Sequence, residues 1–198
     1  SMSNCLIHSN SSEAIKEGNG CNVQIANSTI IGDITNSEST FDINNSILSS
    51  YVYNGSFDLS TINYSLVPGG FSGNGNIDVD LLFVDSVNGN YSLSNFSECI
   101  GAGDPSLTPT TDISGNSRPN PVGSNPDMGA YENALATPDI LGCMDTLATN
   151  FDPVANINDF SLCTYCYAVA DFGTDSIQAC DSILTVSYTH LRAHETLL

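Results

Sequence analysis

Oxygen-bearing side chains near the C-terminal end of the sequence could bind a metal ion. Calcium prefers carboxylate and amide oxygens, and six such residues fall between positions 145 and 159: Asp145, Asn150, Asp152, Asn156, Asn158 and Asp159. Their irregular spacing matches no standard calcium loop such as the EF-hand, and solvated turns use the same residue types. The sequence therefore leaves two interpretations open, a calcium site and ordinary turn residues, and it requires no other cofactor.

Cysteines cluster in the same region. Four of the seven lie within 38 residues: Cys143, Cys163, Cys166 and Cys180. This density is typical of local disulfides in an oxidising compartment. A Cys143–Cys163 disulfide would stabilise a unit of about 30 residues that is too small to bury much core, and we expect Cys166 to pair with Cys180. A zinc or redox interpretation of Cys163 and Cys166 lacks a second cysteine pair and a neighbouring His.

Groups suited to acid–base or nucleophilic catalysis are scarce. Outside residues 187–198, a basic catalyst would have to be Lys16 or Arg118, which lie in unrelated regions. A glycoside hydrolase needs clustered carboxylates, and one grouping that neighbouring strands could form is Asp33, Asp42 and Asp58. A catalytic Ser or Cys would have only His8 as a partner, because the other two His residues lie near the C-terminus. We therefore predict no catalytic and no cofactor-binding residue in this chain.

The charge of the chain limits its partners. It carries 22 Asp and Glu against 3 Lys and Arg, a formal net charge of −19. Such a surface repels phosphate backbones and anionic lipids, which disfavours nucleic acid and membrane surfaces and favours cations. The sequence has no apolar run long enough to span a membrane. Asn, Ser, Thr and Gly supply most of the polarity, which predicts a mostly β protein with many tight turns.

A four-residue sequence that recurs along the chain would form the strands of this protein. It reads Asn4-Cys5-Leu6-Ile7, Asn27-Ser28-Thr29-Ile30, Asn45-Ser46-Ile47-Leu48 and, with a changed first residue, Tyr64-Ser65-Leu66-Val67. The copies start 23, 18 and 19 residues apart (27−4, 45−27 and 64−45), a period typical of a solenoid with one coil per repeat. The last residues of the copies should align in one apolar column: Ile7, Ile30, Leu48 and Val67.

The first two residues of each copy should have structural roles. We expect the leading Asn residues to form a second column at a bend, where their side chains can bond turn backbone and neighbouring amides. Tyr64 interrupts that column. Cys5 occupies the position that Ser fills in the other copies, and we expect it to be a buried thiol.

This repeat resembles that of right-handed parallel β-helix proteins, an architecture shared by pectate lyases, polygalacturonases and many bacterial surface proteins. The next segments resemble, in their order, the C-terminal region of bacterial β-helix proteins called choice-of-anchor domains, although Leu81 stands where that family usually has Pro. They are Gly75-Asn76-Ile77-Asp78, Leu82-Phe83-Val84-Asp85, residues 88–93, 99–104 and 112–116, Arg118-Pro119 and residues 127–132. The resemblance implies a cap over the last coil, whose apolar face and unpaired strand edges need covering. Nine residues could supply the cover: Leu82, Phe83, Val84, Tyr91, Leu93, Phe96, Ile100, Met128 and Tyr131.

Arg118 lies in sequence among the acidic residues Asp112, Asp127 and Glu132. We expect it to form an ion pair that holds the cap loop to the last coil, and a role in substrate binding is the alternative.

The C-terminal third resembles appended modules. Residues 137–166 resemble a short cysteine-framed module of secreted bacterial proteins, with Ser161-Leu162 in place of the usual Gly-Ser. Residues 167–186 resemble the start of an immunoglobulin-like domain, and residues 187–198 look like a translated sequencing-adapter peptide that we exclude from fold and function. The predicted protein is therefore all-β, with the C-terminal coils and cap of a β-helix in residues 1–136 followed by these segments.

Three functions fit these observations. The first is a secreted or cell-surface scaffold, structural, adhesive or glycan-contacting, with no active site in this chain. The second is a polysaccharide lyase or glycoside hydrolase whose catalytic coils lie upstream, and the third is a calcium-dependent binding module. Because the chain opens within a repeat and shows no export signal, we expect a fragment of an extracellular or cell-surface protein. Its module combination resembles exported proteins of Bacteroidetes-like bacteria, its expected partner is a polysaccharide or cell-surface glycan, and its expected state is a monomer.

Overall fold

The computed structural model of the chain describes residues 1–16, 20–36, 39–53 and 60–166. Within them, the helices are three short 3₁₀ turns at Ser86–Asn88, Pro105–Leu107 and Phe160–Leu162. The strands are β1 (Met2–Ser3), β2 (Leu6–Lys16), β3 (Asn22–Ala26), β4 (Thr29–Asn36), β5 (Thr40–Asn44), β6 (Ile47–Tyr53), β7 (Thr61–Asn63), β8 (Phe83–Asp85), β9 (Asn90–Leu93), β10 (Leu141–Gly142) and β11 (Ile157–Asn158). The predicted all-β class is confirmed. The predicted immunoglobulin-like start and the C-terminal peptide lie outside the described residues.

The first seven strands wind as a parallel β-helix. One sheet has the order β1-β3-β5-β7 and the other the order β2-β4-β6. Strands that follow each other along the chain alternate between the two sheets, so each coil adds one strand to each. Successive coils pair in parallel and in register, as where Ile43 pairs with Ile25 on one side and with Ile62 on the other. The predicted β-helix is therefore confirmed.

The bend between the two sheets is made by the leading residue of each repeat. Asn4, Asn27, Asn45 and Tyr64 all have left-handed backbone angles, with φ of 51°, 46°, 51° and 46°. Asn adopts this region more readily than most residues. The bends stack on one another, because Asn27 N donates to Asn44 O at 3.0 Å and Asn45 N donates to Asn63 O at 3.3 Å. The predicted Asn column is confirmed at the bend, but the side chains do not bond the amides of neighbouring coils as expected, because Asn45 bonds the backbone of Asp104 and Asn4 that of Thr111. Tyr64 has the same left-handed backbone conformation as the Asn residues.

The second residue of each repeat links neighbouring coils. Ser46 Oγ donates to Asn44 O at 2.8 Å and accepts the N–H of Ser28, one coil earlier, at 3.2 Å. Ser65 Oγ accepts the N–H of Ser46 in the same way, at 3.0 Å. Each hydroxyl therefore satisfies two backbone groups at a buried bend. Cys5 takes the same position in the first coil, but it is half-buried, so the expectation of a buried thiol was wrong.

The coil interior is a column of aliphatic side chains. Ile7 pairs with Ile30, and Ile30 pairs with Leu48. Ile30, Leu48 and Val67 belong to one buried cluster, with the partly buried Ile7 packed against it. Fully burying an aliphatic side chain of this size stabilises the fold by about 1.5–3 kcal/mol. The predicted column is confirmed, and it supplies the core that a single coil lacks.

A second hydrophobic cluster lies beneath the cap, which we define as residues 64–136. Leu66, Leu93, Ile100 and Met128 pack there with Ile47 of the last regular coil. The ring of Tyr64 packs so closely on Gly75 that an added Cβ would overlap it. Three residues expected to cover the coil are instead exposed: Leu82, Val84 and Phe96. The cap therefore covers the end of the helix with fewer apolar residues than the sequence indicated.

The chain divides into two compact units, Ser1–Asp139 and Ile140–Leu198. In the described part of the second unit, β10 and β11 pair in parallel. Few of its side chains are buried: Cys143, Ala148 and Ala155. Most of its large apolar side chains are exposed, as for Leu147 and Phe160. Turns and covalent links rather than a core must therefore stabilise it.

Candidate functional site

The six candidate calcium ligands lie in the second unit, where their oxygens accept hydrogen bonds from the protein. Asp145, Asp152 and Asp159 each accept the backbone N–H two residues later, at 2.9–3.0 Å, which is the Asx-turn pattern. Asn150, Asn156 and Asn158 accept more distant backbone N–H groups, those of Thr164, Ile140 and Met144. No group of three or more His, Cys, Asp or Glu among the described residues is arranged to hold a metal. Calcium binding by these six residues stays a prediction.

Two of these carboxylates are held in the ionised form. The hydrogen bond from the Tyr165 hydroxyl, at 2.7 Å, lowers the pKa of Asp145 below its usual value. The Ser161 hydroxyl, at 2.6 Å, lowers the pKa of Asp159 in the same way. Both groups therefore stay ionised to a lower pH than an ordinary Asp, and the negative charge of the unit attracts cations.

Two cysteines of the second unit form the predicted disulfide. Cys143 and Cys163 form a disulfide with a Cα–Cα distance of 4.9 Å. Cys166 is also disulfide-bonded, but Cys180 lies outside the described residues, so its pairing with Cys166 stays a prediction. Cys99 in the first unit is a free thiol. Burial raises its pKa to about 12, which makes it a poor nucleophile.

The residues considered for catalysis are not brought together. Asp33 lies on β4 in one sheet, whereas Asp42 lies on β5 in the other. Asp58 lies outside the described residues. Lys16 ends β2, and Arg118 lies in the cap. Asp33 and Asp42 thus do not form a carboxylate pair, and Lys16 and Arg118 belong to separate parts of the fold.

Arg118 is buried in an ion pair within the cap. Its Nε lies 3.0 Å from Glu132 Oε2, and neither side chain has exposed surface. Its Nη1 donates to Gly129 O at 3.0 Å, and Gly129 N donates to Asn45 O at 2.8 Å. The predicted ion pair is confirmed. It joins two segments of the cap, and Gly129 links them to the coil.

Two further buried carboxylates flank this pair. Burial raises the pKa of Asp127 to about 7, although both its oxygens accept backbone N–H groups, from Gly101 and Asn133. Burial also acts on Asp112, but hydrogen bonds from Glu132, Asn116 and Ser114 outweigh it and hold the pKa of Asp112 below its usual value. Burial raises the pKa of Glu132 as well. The carboxylates of Asp127, Asp112 and Glu132 all accept hydrogen bonds from backbone N–H groups of the cap, so their role is structural.

One groove, which we call the strand-face groove, lies on the outer face of the sheet β1-β3-β5-β7. It has a volume of about 220 Å³ and is lined by Ser1, Met2, Ser3, Gln24, Ile25, Ala26, Asp42, Asn44 and Leu107. Gln24, Asp42 and Thr61 align across three coils. Asp42 Oδ1 accepts Asn44 Nδ2 at 2.9 Å and Thr61 Oγ1 at 3.1 Å. This face presents amide, carboxylate and hydroxyl groups at the spacing of the coils.

A second groove, which we call the aromatic groove, lies between the outer face of the other sheet and the β8–β9 hairpin. It has a volume of about 360 Å³ and is lined by Ile31, Ser49, Leu81, Phe83, Ser86, Val87 and Tyr91. The Tyr91 ring packs edge-on against Phe83, with centroids 5.4 Å apart, and it also contacts the exposed His8 ring at 5.6 Å. The groove combines ring surfaces with hydroxyl groups.

Sequence reasoning missed the aromatic groove. It assigned Phe83 and Tyr91 to covering the last coil, and it considered His8 only as a catalytic base. The contact joins residues 83 positions apart (91−8), so no local pattern could indicate it. The aromatic pair flanking a turn at Asn88-Gly89 was the one available signal.

No protein-family model, no curated protein and no solved structure matches this chain. The assignment of a β-helix therefore rests on the parallel strand pairing alone. The likeness to choice-of-anchor domains stays a resemblance. None of the helices among the described residues is long and apolar enough to cross a membrane.

Proposed function

We propose that this chain belongs to a secreted or cell-surface β-helix protein that acts as a structural, adhesive scaffold and contacts glycans without catalysing their cleavage. The observation that carries the proposal is the aromatic groove. Ring faces at Phe83 and Tyr91 can stack on the apolar C–H face of a sugar ring, and hydroxyl groups at Ser49 and Ser86 can bond its hydroxyls. Sites of this size with apolar walls and a few polar groups are typical of small-ligand binding.

The charge of the protein selects among glycans. The formal net charge is −19, and the one Arg among the described side chains, Arg118, is buried in its ion pair. Among the described side chains, no other Lys or Arg would offset the repulsion of a uronate or sulfate. Neutral polysaccharides are the ligands that this surface fits.

A disulfide bond supports the proposed extracellular or cell-surface location. Disulfides such as Cys143–Cys163 persist mainly in oxidising compartments. The same ordered segments that resemble a choice-of-anchor region build the observed cap, in which Arg118 and Glu132 pair. We further propose that the cap ends the β-helix and that further modules follow it in the chain.

Binding to immobilised neutral and acidic glycans tests the proposal. We expect binding to a neutral glycan, and we expect Tyr91→Ala to weaken it about 2- to 12-fold, because an aromatic contact contributes about 0.5–1.5 kcal/mol. Tyr91→Phe keeps the ring and should retain most of the affinity. Gln24→Ala in the strand-face groove is the matched control and should bind as the unaltered chain does.

The outcomes against the proposal are distinct. Failure to bind any glycan would count against the contact with glycans. Release of sugar products from a bound polysaccharide would favour the alternative, a lyase or hydrolase. Thermal melts of each variant check that a loss of binding is not a loss of fold.

A further inference from the structure

His8 is an exposed aromatic ring beside the aromatic groove. It lies on β2 and pairs with Ile31 of β4, one coil later, in the parallel register of the two strands. Ile31 lines the aromatic groove. His8 is exposed and is not among the lining residues. An exposed ring therefore lies directly next to the floor of the groove.

The floor of the groove belongs to a column of outward-facing side chains on neighbouring coils. The residues that precede this column, Ile7, Ile30 and Leu48, pack in the coil interior. Because side chains alternate between the two faces of a strand, the residues that follow them face outward. They are His8, Ile31 and Ser49. The column therefore runs along the axis of the β-helix, from Ser49 on the third coil to His8 on the first.

The rings of the hairpin wall extend to the same end of the column. The Tyr91 ring contacts two other rings, with centroids 5.4 Å from that of Phe83 and 5.6 Å from that of His8. Phe83 and Tyr91 both line the groove. The series of rings is thus one ring longer than the groove, and the additional ring stands on the first coil.

We propose that His8 provides a second sugar-binding position, so that the protein binds a neutral chain of at least two sugar units that extends along the axis of the β-helix. This inference rests on the proposed function. One unit lies in the aromatic groove against Tyr91 and Ile31, and the next unit contacts the His8 ring. Ile31 and His8 are one coil apart, about 4.8 Å, and a sugar unit in an extended chain has nearly that length.

A purely structural role for His8 predicts a different behaviour. If the His8–Tyr91 contact only held the hairpin against the first coil, then its loss would disturb the groove itself. Sugars of every length would then bind more weakly, and by the same factor. A second binding position instead affects only ligands long enough to reach it. The length of the ligand therefore distinguishes the two roles.

Titration of the intact, ¹⁵N-labelled chain with short neutral sugars, followed by nuclear magnetic resonance, tests the proposal. The probes are glucose and mannose with the disaccharides cellobiose, laminaribiose and mannobiose. We expect at least one disaccharide to bind about 2- to 12-fold more tightly than its monosaccharide, because it adds one aromatic contact. His8→Ala should remove this difference and leave the affinity for the monosaccharide unchanged.

Two variants serve as controls. His8→Phe keeps a ring at this position and should retain the tighter binding of the disaccharide. Phe96→Ala removes a ring of the cap that is 45% exposed and lies outside the lining of the groove, and it should also retain the difference. Thermal melts of all variants check that each one is folded.

The outcomes separate this inference from the proposed function. Equal affinities for monosaccharides and disaccharides would overturn the inference, as would an equal loss for both in His8→Ala. The proposed function would survive either result if Tyr91→Ala still weakened binding. Binding to an immobilised neutral glycan without binding to any disaccharide would overturn the inference alone. Binding to neither would overturn the proposed function with it.

Discussion

Asp127 is a carboxyl with no exposed surface that lies close to two other charged groups, Arg118 and Glu132. Burial raises its pKa to about 7. Arg118 favours the ionised form, Glu132 disfavours it, and two backbone N–H groups favour it. The nearby Asp112 has the opposite property, because its hydrogen bonds hold its pKa low. One cap therefore contains two carboxyls whose ionisation affects stability in opposite directions.

The raised pKa of Asp127 predicts a pH dependence of the cap. A carboxyl whose pKa is higher folded than unfolded adds stability that is fully present below its unfolded pKa, near 4, and is lost as the pH rises through about 7. The variant Asp127→Asn removes this titration. We expect the difference in Tm between the unaltered chain and the variant to shrink as the pH rises from about 5 to about 8, as measured by thermal denaturation.

Asp112→Asn is the control with the opposite sign. The stability that Asp112 supplies is present above its unfolded pKa and is lost as the pH falls through its lowered folded pKa. The cost of this substitution should therefore be constant from about pH 5 to about pH 8 and smaller only in strong acid. If the two variants respond alike to pH, the assignment to Asp127 is wrong.

At the scale of elements, the second unit depends on its covalent link. Its described large side chains are mostly exposed, and the Cys143–Cys163 disulfide closes a loop with a sequence separation of 20. Removing such a link costs about 3 kcal/mol of unfolding free energy in the chain-entropy model. We expect the double variant Cys143→Ser, Cys163→Ser to lose amide protection at β10 and β11. Strands β3 and β5 should keep theirs in the same exchange experiment, and protection retained at β10 and β11 would contradict the prediction.

The elements differ in how far the sequence predicts them. The coils are predictable because each repeats a local pattern: Asn at the bend, Ser beside it, and an apolar residue such as Ile30 or Leu48 in the column. The cap is not, because its contacts join distant residues. Ala130 N donates to Thr29 Oγ1 across 101 positions, and the His8–Tyr91 contact is similarly remote. Local spacing carries no information about such pairs.

The candidate calcium site shows a second limit of the sequence. Asx turns and calcium sites both use Asp and Asn oxygens at short spacing. Asp152, for example, accepts the N–H of Val154 at 3.0 Å, and the sequence alone cannot separate that use from metal binding. Whether the six candidate residues bind calcium therefore stays a prediction.

At the scale of the whole molecule, the net charge of −19 predicts how salt acts on the protein. Like charges destabilise the compact state, and raising the ionic strength from about 0.01 M to about 0.15 M shortens the screening length from about 30 Å to about 8 Å. We therefore expect sodium chloride to raise the Tm by a few degrees.

Calcium chloride at matched ionic strength separates screening from binding. A calcium site at the six candidate residues would raise the Tm further than sodium chloride does. The double variant Asp152→Asn, Asp159→Asn would then abolish the additional rise in Tm. Equal shifts with both salts would sink the calcium prediction, and a fall in Tm with sodium chloride would show that self-repulsion does not limit the stability of this fold.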